Sequence, residues 1–313
     1  MIKITGVSNI TAKMIADSIS SISNDRICTF ELEYPRFIHS ELMTHRAFSR
    51  NAASSRAIPI SKMIEFIDDN FAEPIHWGKN QAGMQAEVEL SGEELTAIKA
   101  LWIDAKATAC EIAALMLDTG AHKQIVNRIL EPFQIIKTVV TATEFDNFFH
   151  LRCHKDAQPE IKHMADLMFA IMNSSKPELL NHGEYHTPYV EHVRNSKGIL
   201  EYVSNSSSEK MNSEQAVIVS ASCCAQVSYR KNDDSYDKAL MIYDRLVNNR
   251  PLHASPFEHQ ATPMKYPIMG MEGIDEWEKG VTHMSKDFEF WSGNFRGWIQ
   301  NRQTIHENVY TED

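Results

Sequence analysis

The 313-residue sequence has little cysteine, little positive charge and no long apolar run, and each shortage removes a class of protein. Its five cysteines (Cys28, Cys110, Cys153, Cys223 and Cys224) form no C-x-x-C pair and leave an odd count. That argues against a disulfide framework and for a reduced, cytoplasmic protein. No stretch approaches the roughly 20 apolar residues that a membrane-crossing helix needs. The opening MIKITGVSNI lacks the charged and apolar blocks of a signal peptide. The formal charge of −11 argues against a general nucleic-acid binder, whose affinity rests on many cationic contacts. A phosphorylated small molecule needs only a few well-placed cations and stays open. Neither a βαβ series with a Gly-rich turn nor a solenoid repeat is visible.

What remains is a globular composition, 43% hydrophobic and 23% charged, with irregularly alternating element signals. In ICTFELEYP (27–35), Phe30, Leu32 and Tyr34 alternate with Glu31 and Glu33, the period of a half-buried strand that Pro35 ends. Residues 92–119 predict a long helix. Ser91 and Glu94 form a capping-box pattern, Leu95, Ile98, Leu101, Trp102, Ala105, Ala109, Ile112 and Met116 an inward face, and Gly120 the stop. A second helix is expected over 158–172, with Pro159 in its first turn and Ile161, Met164, Leu167, Met168 and Ile171 inward. The polar stretch 195–215 reads as a linker, AVIVSAS (216–222) as a buried strand, and 235–248 as a helix through Ala239, Leu240, Tyr243 and Val247. The class is α+β: a mixed or antiparallel sheet flanked by long helices. The expected division is 1–195, a linker at 196–215, and 216–313, the two regions packing as one catalytic unit.

The chemistry concentrates in residues 36–56, where Arg36, Arg46, Arg50, Arg56, His39 and His45 are opposed only by Glu41. Ser49, Ser54, Ser55 and Asn51 add small donors. The segment reads either as a solvated face or as a phosphate site, since the guanidinium fork suits bidentate phosphate recognition. Arg128 (IVNRILEPF) and Arg152 (NFFHLR) sit in apolar settings and should face inward. A desolvated arginine needs a partner, either Glu131, Glu144 or Asp146 in a structural salt bridge or a bound anion.

These residues carry a resemblance. T-H-R-A-F-S-R-N-A-A-S-S-R (44–56) resembles the R-H-R-x-x-S-x-N-E-x-S-x-R signature of flavin-dependent thymidylate synthases. N-R-I-L-E-P (127–132) is similar to the family's A-R-x-V-L-P, and N-F-F-H-L-R-C-H-K-D-A-Q-P-E-I (147–161) to its N-F-L-x-L-R-x-x-x-H-A-Q-x-E-I. A-Q-V-S-Y-R (225–230) and S-P-F-E-H (255–259) resemble A-R-V-S-F and T-P-F-E-H, blocks that precede the signature in the family and follow it here. A circular permutation accounts for that order, because domain termini often lie close together.

The resemblance implies reductive methylation of dUMP to dTMP with FAD, methylenetetrahydrofolate and NADPH, in a homo-oligomer, a tetramer whose sites are shared between subunits. It implies that His45, Arg46 and Ser49 contact the FAD, framed by Asn147 and His259. Ser54, Ser55 and Arg56 would hold the nucleotide phosphate, Arg128 would add a second cation near that nucleotide, and Glu41 would lie by it. The catalytic candidates are Arg152, facing the uracil carbonyl, and Ser54, a binding residue with no base assigned to it. The family's first signature arginine is Thr44 here, its glutamate Ala52, its upstream glutamine Glu41, the histidine before A-Q Asp156, and two flavin-contacting positions Thr141 and Thr143. In the tail G-N-F-R-G-W-I-Q-N-R-Q (293–303), Arg302 is the candidate to replace the charge missing at Thr44 and to join the cofactor site.

Other readings compete. The changes at Ala52 and Glu41 admit another pyrimidine nucleotide such as dCMP, or a hydroxymethylated product. A different class of protein would use 36–56 as a nucleic-acid contact arm. His150, Cys153 and His154 invite zinc but lack a companion pair, so no metal is expected. His182, His186 and His192 read as polar surface, Cys223 and Cys224 as buried thiols, and HWGKNQAGMQ (76–85) as an ordered loop with Trp77 a possible stacking surface for folate or nicotinamide. Residues 60–90 and 262–290 carry no assigned role.

Overall fold

The Phe30, Leu32 and Tyr34 alternation forms the centre of the main sheet. In the computed structural model, which describes residues 2–228, 232–249, 251–269 and 277–309, these side chains are fully buried on one face of a strand spanning Arg26–Pro35. Glu31 and Glu33 point to the other face and stay partly exposed. That face is covered too at one end, where Thr29 is fully buried.

In chain order the main-sheet strands are β1 (Ile2–Thr5), β2 (Thr11–Ser20), β3 (Arg26–Pro35), β4 (Ser49–Ala52), β5 (Ile135–Ala142) and β6 (Glu178–Leu180). The path β1-β2-β3-β5-β4 is antiparallel throughout, and β6 adds to β2 in parallel, giving a six-stranded mixed sheet. Helices α1 (His39–Leu42), α2 (Ile60–Asp69), α3 (Gly92–Asp118), α4 (Lys123–Val126), α5 (Asp146–Arg152) and α6 (Pro159–Ser174) join these strands. The expected α+β class holds.

Helices α5 and α6 cover one sheet face, where Phe145, Phe148, Ile161, Met164, Met168 and Ile171 meet Phe30, Leu32, Tyr34 and Val140. The α6 register is the one its sequence predicts, with Pro159 in the first turn and Gln158 capping by accepting from the Ile161 N–H. Helix α3 spans the predicted residues and stops before Gly120 at φ +86. Two details differ. Ser91 makes no side-chain cap, and Glu94 pairs with Lys79 instead. The expected inward face is covered only in part: Trp102, Ala109 and Met116 pack with Cys110 and Ala113 against α2 and α4, while Leu101 is 63% and Ile112 46% exposed.

The second half departs most from expectation. The Ser/Asn-rich stretch read as a linker carries β8 (Leu200–Ser204) and β9 (Lys210–Met211); β8 pairs with β7 (Val190–Arg194) and β9 with β8, in a three-stranded antiparallel sheet. Polar residues make its turns, while Leu200, Tyr202 and Ser204 alternate inward. The AVIVSAS run is not a strand. It lies within helix α7 (Ser213–Ala225), opened by a capping box of Asn212 and Gln215. Eight α7 residues between Ala216 and Cys224 are buried, so no polar face interrupts the run and its helical period is invisible in sequence. Cys223 and Cys224 are fully buried there, in line with the expectation of structural thiols. Helix α8 (Tyr236–Tyr243) follows near its predicted place and continues into a π-helical segment, Asp244–Asn248. Strands β10 (Ala261–Pro263), β11 (His283–Met284), β12 (Phe290–Ser292), β13 (Phe295–Arg296) and β14 (Trp298–Gln300) form two small antiparallel sheets. The core around Ile27, Ala216, Val219, Phe295 and Trp298 joins this half to the main sheet.

Candidate functional site

The basic segment folds as α1, a tight turn and the edge strand β4. The Thr44 and His45 N–H groups donate back to Glu41 and Leu42 carbonyls at 3.2 Å, and Arg50 Nη1 closes the turn by donating to the carbonyls of Met43 (2.8 Å) and His45 (3.2 Å). This turn presents His45, whose ring packs edge-on to Phe148 at 4.8 Å and is 8% exposed. Burial, then the cations of Arg152 and Arg50, lower its pKa to about 4, so the imidazole is neutral near pH 7 and can accept at Nε2.

Arg152 meets that acceptor. Helix α5 buries Phe148 and Phe149, which leaves Arg152 in its last turn. Its Nε donates to His45 Nε2 at 2.9 Å, its Nη2 to Thr44 Oγ1 at 3.3 Å, and its Nη1 lies 3.5 Å from Glu41 Oε2. The salt-bridge partner is therefore Glu41, whereas Glu144 pairs with Arg296. The cation beside Thr44 is Arg152. Arg302 bonds Glu258 and donates to the Asn308 carbonyl at 3.2 Å.

Past β4 the chain enters a second polar cluster. Ser55 Oγ donates to Glu131 Oε1 at 3.2 Å, and that oxygen also lies 3.1 Å from Arg36 Nη2 and 2.9 Å from Arg128 Nη1. The fully buried Asn127 fixes this corner by donating to the carbonyls of Ser55 (2.7 Å) and Ile58 (2.9 Å). Arg128, expected to face inward, has a 56% exposed side chain; the neighbouring Asn127 is the buried member of the block.

The blocks displaced in sequence return to β4. Ser228 Oγ accepts from the Ser54 N–H at 3.0 Å, and the Cys224 carbonyl from Asn51 Nδ2 at 3.3 Å. From the other block, the Glu258 carbonyl accepts from Gln300 Nε2 at 3.4 Å, and the same amide donates to Ser49 Oγ at 3.2 Å. His259 is fully buried, its Nδ1 2.8 Å from Thr141 Oγ1. That hydroxyl is 2.7 Å from Thr29 Oγ1, which is 2.8 Å from His186 Nε2, and His186 Nδ1 is 2.9 Å from Ser18 Oγ. His186 thus sits in a buried polar chain and not at the surface. Its backbone bridges Ala261, which draws the loop inside.

A family model for the thymidylate synthase complementing protein matches residues 5–178, more than half of the chain. This chain belongs to that family. Its activity class is accordingly methylation of a pyrimidine nucleotide. Two solved structures of a UMP/dUMP methylase, PolB from Streptomyces cacaoi, bound with 5-Br UMP and with 5-Br dUMP, are similar at 19% identity. They cover 54% of this chain and 91% and 92% of their own, with TM-scores of 0.45 and 0.44. No curated protein matches.

The family match contains the segment 44–56 and the blocks around Arg128 and Arg152, while A-Q-V-S-Y-R and S-P-F-E-H lie beyond it. Tyr229 and Arg230 of the former fall outside the described residues. Of the residues that the family resemblance singles out, Glu41 and His45 both contact Arg152, while Ser55 and Arg128 are joined through Glu131. Arg46, Arg56 and Asn147 are exposed, Ser49 is buried at the start of β4, and His259 is buried against Thr141 of β5. Sequence reasoning did not single out Arg36 as a site residue, nor the Thr29–His186 link. Arg36 was visible within the basic segment; His186 had only its Pro-containing loop as context. Trp77, read as a stacking surface, is instead 9% exposed and packs edge-on to Trp102 at 5.9 Å. His150 and His154 are exposed, and burial pushes the Cys153 thiol up to about 11. Among the described residues no group of three or more His, Cys, Asp or Glu is placed to hold a metal. No described helix is long and apolar enough to cross a membrane.

Proposed function

We propose that the chain is a flavin-dependent thymidylate synthase that methylates dUMP to dTMP, with methylenetetrahydrofolate as one-carbon donor and NADPH as reductant. The observation that carries this reading is the contact of Arg152 with His45 and Glu41. It brings the cation assigned to the uracil against the residue assigned to the flavin, from elements 107 positions apart.

The donor set suits two anionic ligands. Arg46 and Arg56 are exposed on either side of edge strand β4, and Ser54, Ser55 and Arg128 stand at its far end. Guanidinium groups with small hydroxyl donors are the chemistry of diphosphate and phosphomonoester binding. FAD, when bound, supplies the hydride that completes the new methyl group. Arg46, the neutral His45, Ser49, Asn147, His259 and Arg302 are the residues that would hold the flavin. Ser54, Ser55, Arg56 and Arg128 would hold the nucleotide phosphate. Arg152 would polarise the pyrimidine carbonyl and stabilise charge that develops on the ring, oriented for this by His45 and Glu41. Ser54 would bind and not attack. Exposed arginines suit a site completed by a second copy, and the open face of α3 suits the homo-tetramer that the family resemblance implies. The bond of Ser228 to Ser54 just past β4, and the link of Glu258 through Gln300 to Ser49 of β4, support a circular permutation of the family's blocks.

One observation favours a second reading. Glu41 lies beside Arg152, and a carboxylate there can accept from the exocyclic amine of a cytosine ring, so dCMP or a hydroxymethylated product is the alternative. The test incubates purified protein with FAD, NADPH and labelled methylenetetrahydrofolate, with dUMP or dCMP, and identifies the labelled nucleotide. Labelled dTMP from dUMP is expected. A labelled product from dCMP alone moves the assignment to the second reading, and none from either overturns both.

A further inference from the structure

Donors from three separate segments converge on one carboxylate oxygen. Arg36 precedes α1, Ser55 follows β4, and Arg128 follows α4; their polar atoms lie 3.1, 3.2 and 2.9 Å from Glu131 Oε1. Two guanidinium groups leave this cluster with net positive charge after one carboxylate is counted. The arrangement is preorganised, since the buried Asn127 holds the Ser55 backbone from the residue next to Arg128. Arg36 and Ser55 also line a cavity of about 310 Å³ with Ile58, Met63, Ile67 and Ile136 among its walls, at the small end of the range for small-molecule sites.

We propose that Glu131 stands in for the phosphate of the substrate: Arg36, Arg128 and Ser55 form a phosphomonoester subsite that Glu131 fills in the free protein and vacates on binding. The proposal rests on the nucleotide reading only for what the phosphate is attached to. It adds Arg36 as a binding residue and makes Glu131 a determinant of specificity. A glutamate carries one negative charge, and its 27% exposed side chain can swing into water without burying that charge. A phosphomonoester carries about −1.5 to −2 charge and three acceptor oxygens, so it satisfies both arginines and the hydroxyl at once. An incoming carboxylate offers nothing that Glu131 does not already provide. The internal competitor therefore lowers affinity for every anion and leaves the dianion the best able to displace it.

The test titrates inorganic phosphate, and separately dUMP, into the full chain by calorimetry at one ionic strength. Charge-assisted hydrogen bonds set the expected size: Glu131→Gln binds inorganic phosphate about tenfold more tightly than the parent and Arg36→Gln about tenfold more weakly. Phosphate affinity that is unchanged or weaker in Glu131→Gln overturns the proposal, as does unchanged affinity in Arg36→Gln. Thermal unfolding checks that both variants are folded. Should Glu131→Gln not fold, Glu131→Asp withdraws the carboxylate by one methylene and is expected to tighten phosphate binding; no gain overturns the proposal. Phosphate binding requires neither flavin nor folate. Loss of the methylation reading with the tenfold gain intact leaves this inference standing, and dTMP formation with no gain refutes it alone.

Discussion

Acidification should destabilise this protein through His259. The side chain is fully buried, and burial lowers its pKa from 6.5 to about 3. As pH falls, the unfolded chain takes up the proton first. Stability from the neutral folded imidazole is therefore whole above the unfolded pKa of 6.5 and is lost progressively from there down to about 3. At about pH 5 the unfolded imidazole is charged and the folded one is not, a difference of about 1.5 pH units, or about 2 kcal/mol at 1.36 kcal/mol per unit. His186 acts in the same direction, because burial, with smaller effects of His192 and His259, holds its pKa well below the ordinary value. The perturbation is His259→Asn, which keeps a polar contact for Thr141 but does not titrate. Urea unfolding followed by tryptophan fluorescence, at about pH 7.5 and about pH 5, should show the parent losing about 2 kcal/mol more than the variant between the two conditions. Equal losses in parent and variant, within about 0.5 kcal/mol, would refute the reasoning, because the pH dependence would then arise elsewhere.

The site and the frame make further claims. Arg152→Gln should lower dTMP formation by about a hundredfold or more in kcat, the scale of removing one oriented donor, with the melting temperature little changed because the side chain is partly solvated; activity within threefold of the parent would remove Arg152 from the chemistry. Trp298, fully buried with its Nε1 donating to the Asp25 carbonyl at 3.1 Å, should cost about 3–5 kcal/mol as Trp298→Ala, measured by urea unfolding. Leu101 and Leu115, exposed at 63% and 60% and 14 residues apart on one stripe of α3, should shift the chain to smaller species in sedimentation when both become Glu, with each folded subunit's circular dichroism unchanged. An unchanged sedimentation profile would place any subunit contact on another face. Ala221→Pro should prevent folding, because it breaks α7 at a fully packed turn; a soluble, folded variant would contradict the helix.

The legible parts of this fold share one property: a polar face beside an apolar one. Strand β3 and helix α6 each keep a solvent-facing or differently packed side, so their periods of two and 3.6 survive in the sequence. Helix α7 has no such side, and its buried small and β-branched residues read as a strand until the capping box at Asn212 is seen in place. The Ser/Asn content of 195–215 signals turns correctly, but two short strands lie between them, and only the pairing of β8 with β7 and of β9 with β8 distinguishes a hairpin from a linker.

For the candidate site, the sequence by itself determined the inventory: guanidinium groups and small hydroxyls in 44–56, two further arginines in apolar settings, and the family to which that pattern belongs. Tertiary structure decided the pairings. Arg152 meets Glu41 and His45, Arg128 and Arg36 share Glu131, and Arg302 is drawn to Glu258. The reason is that a charge seeks whichever opposite charge or acceptor the packing brings within a few ångströms, and sequence separation carries no information about that distance. The same holds for His186 and His259, which look like ordinary polar residues until the sheet buries both and leaves hydroxyls as their partners.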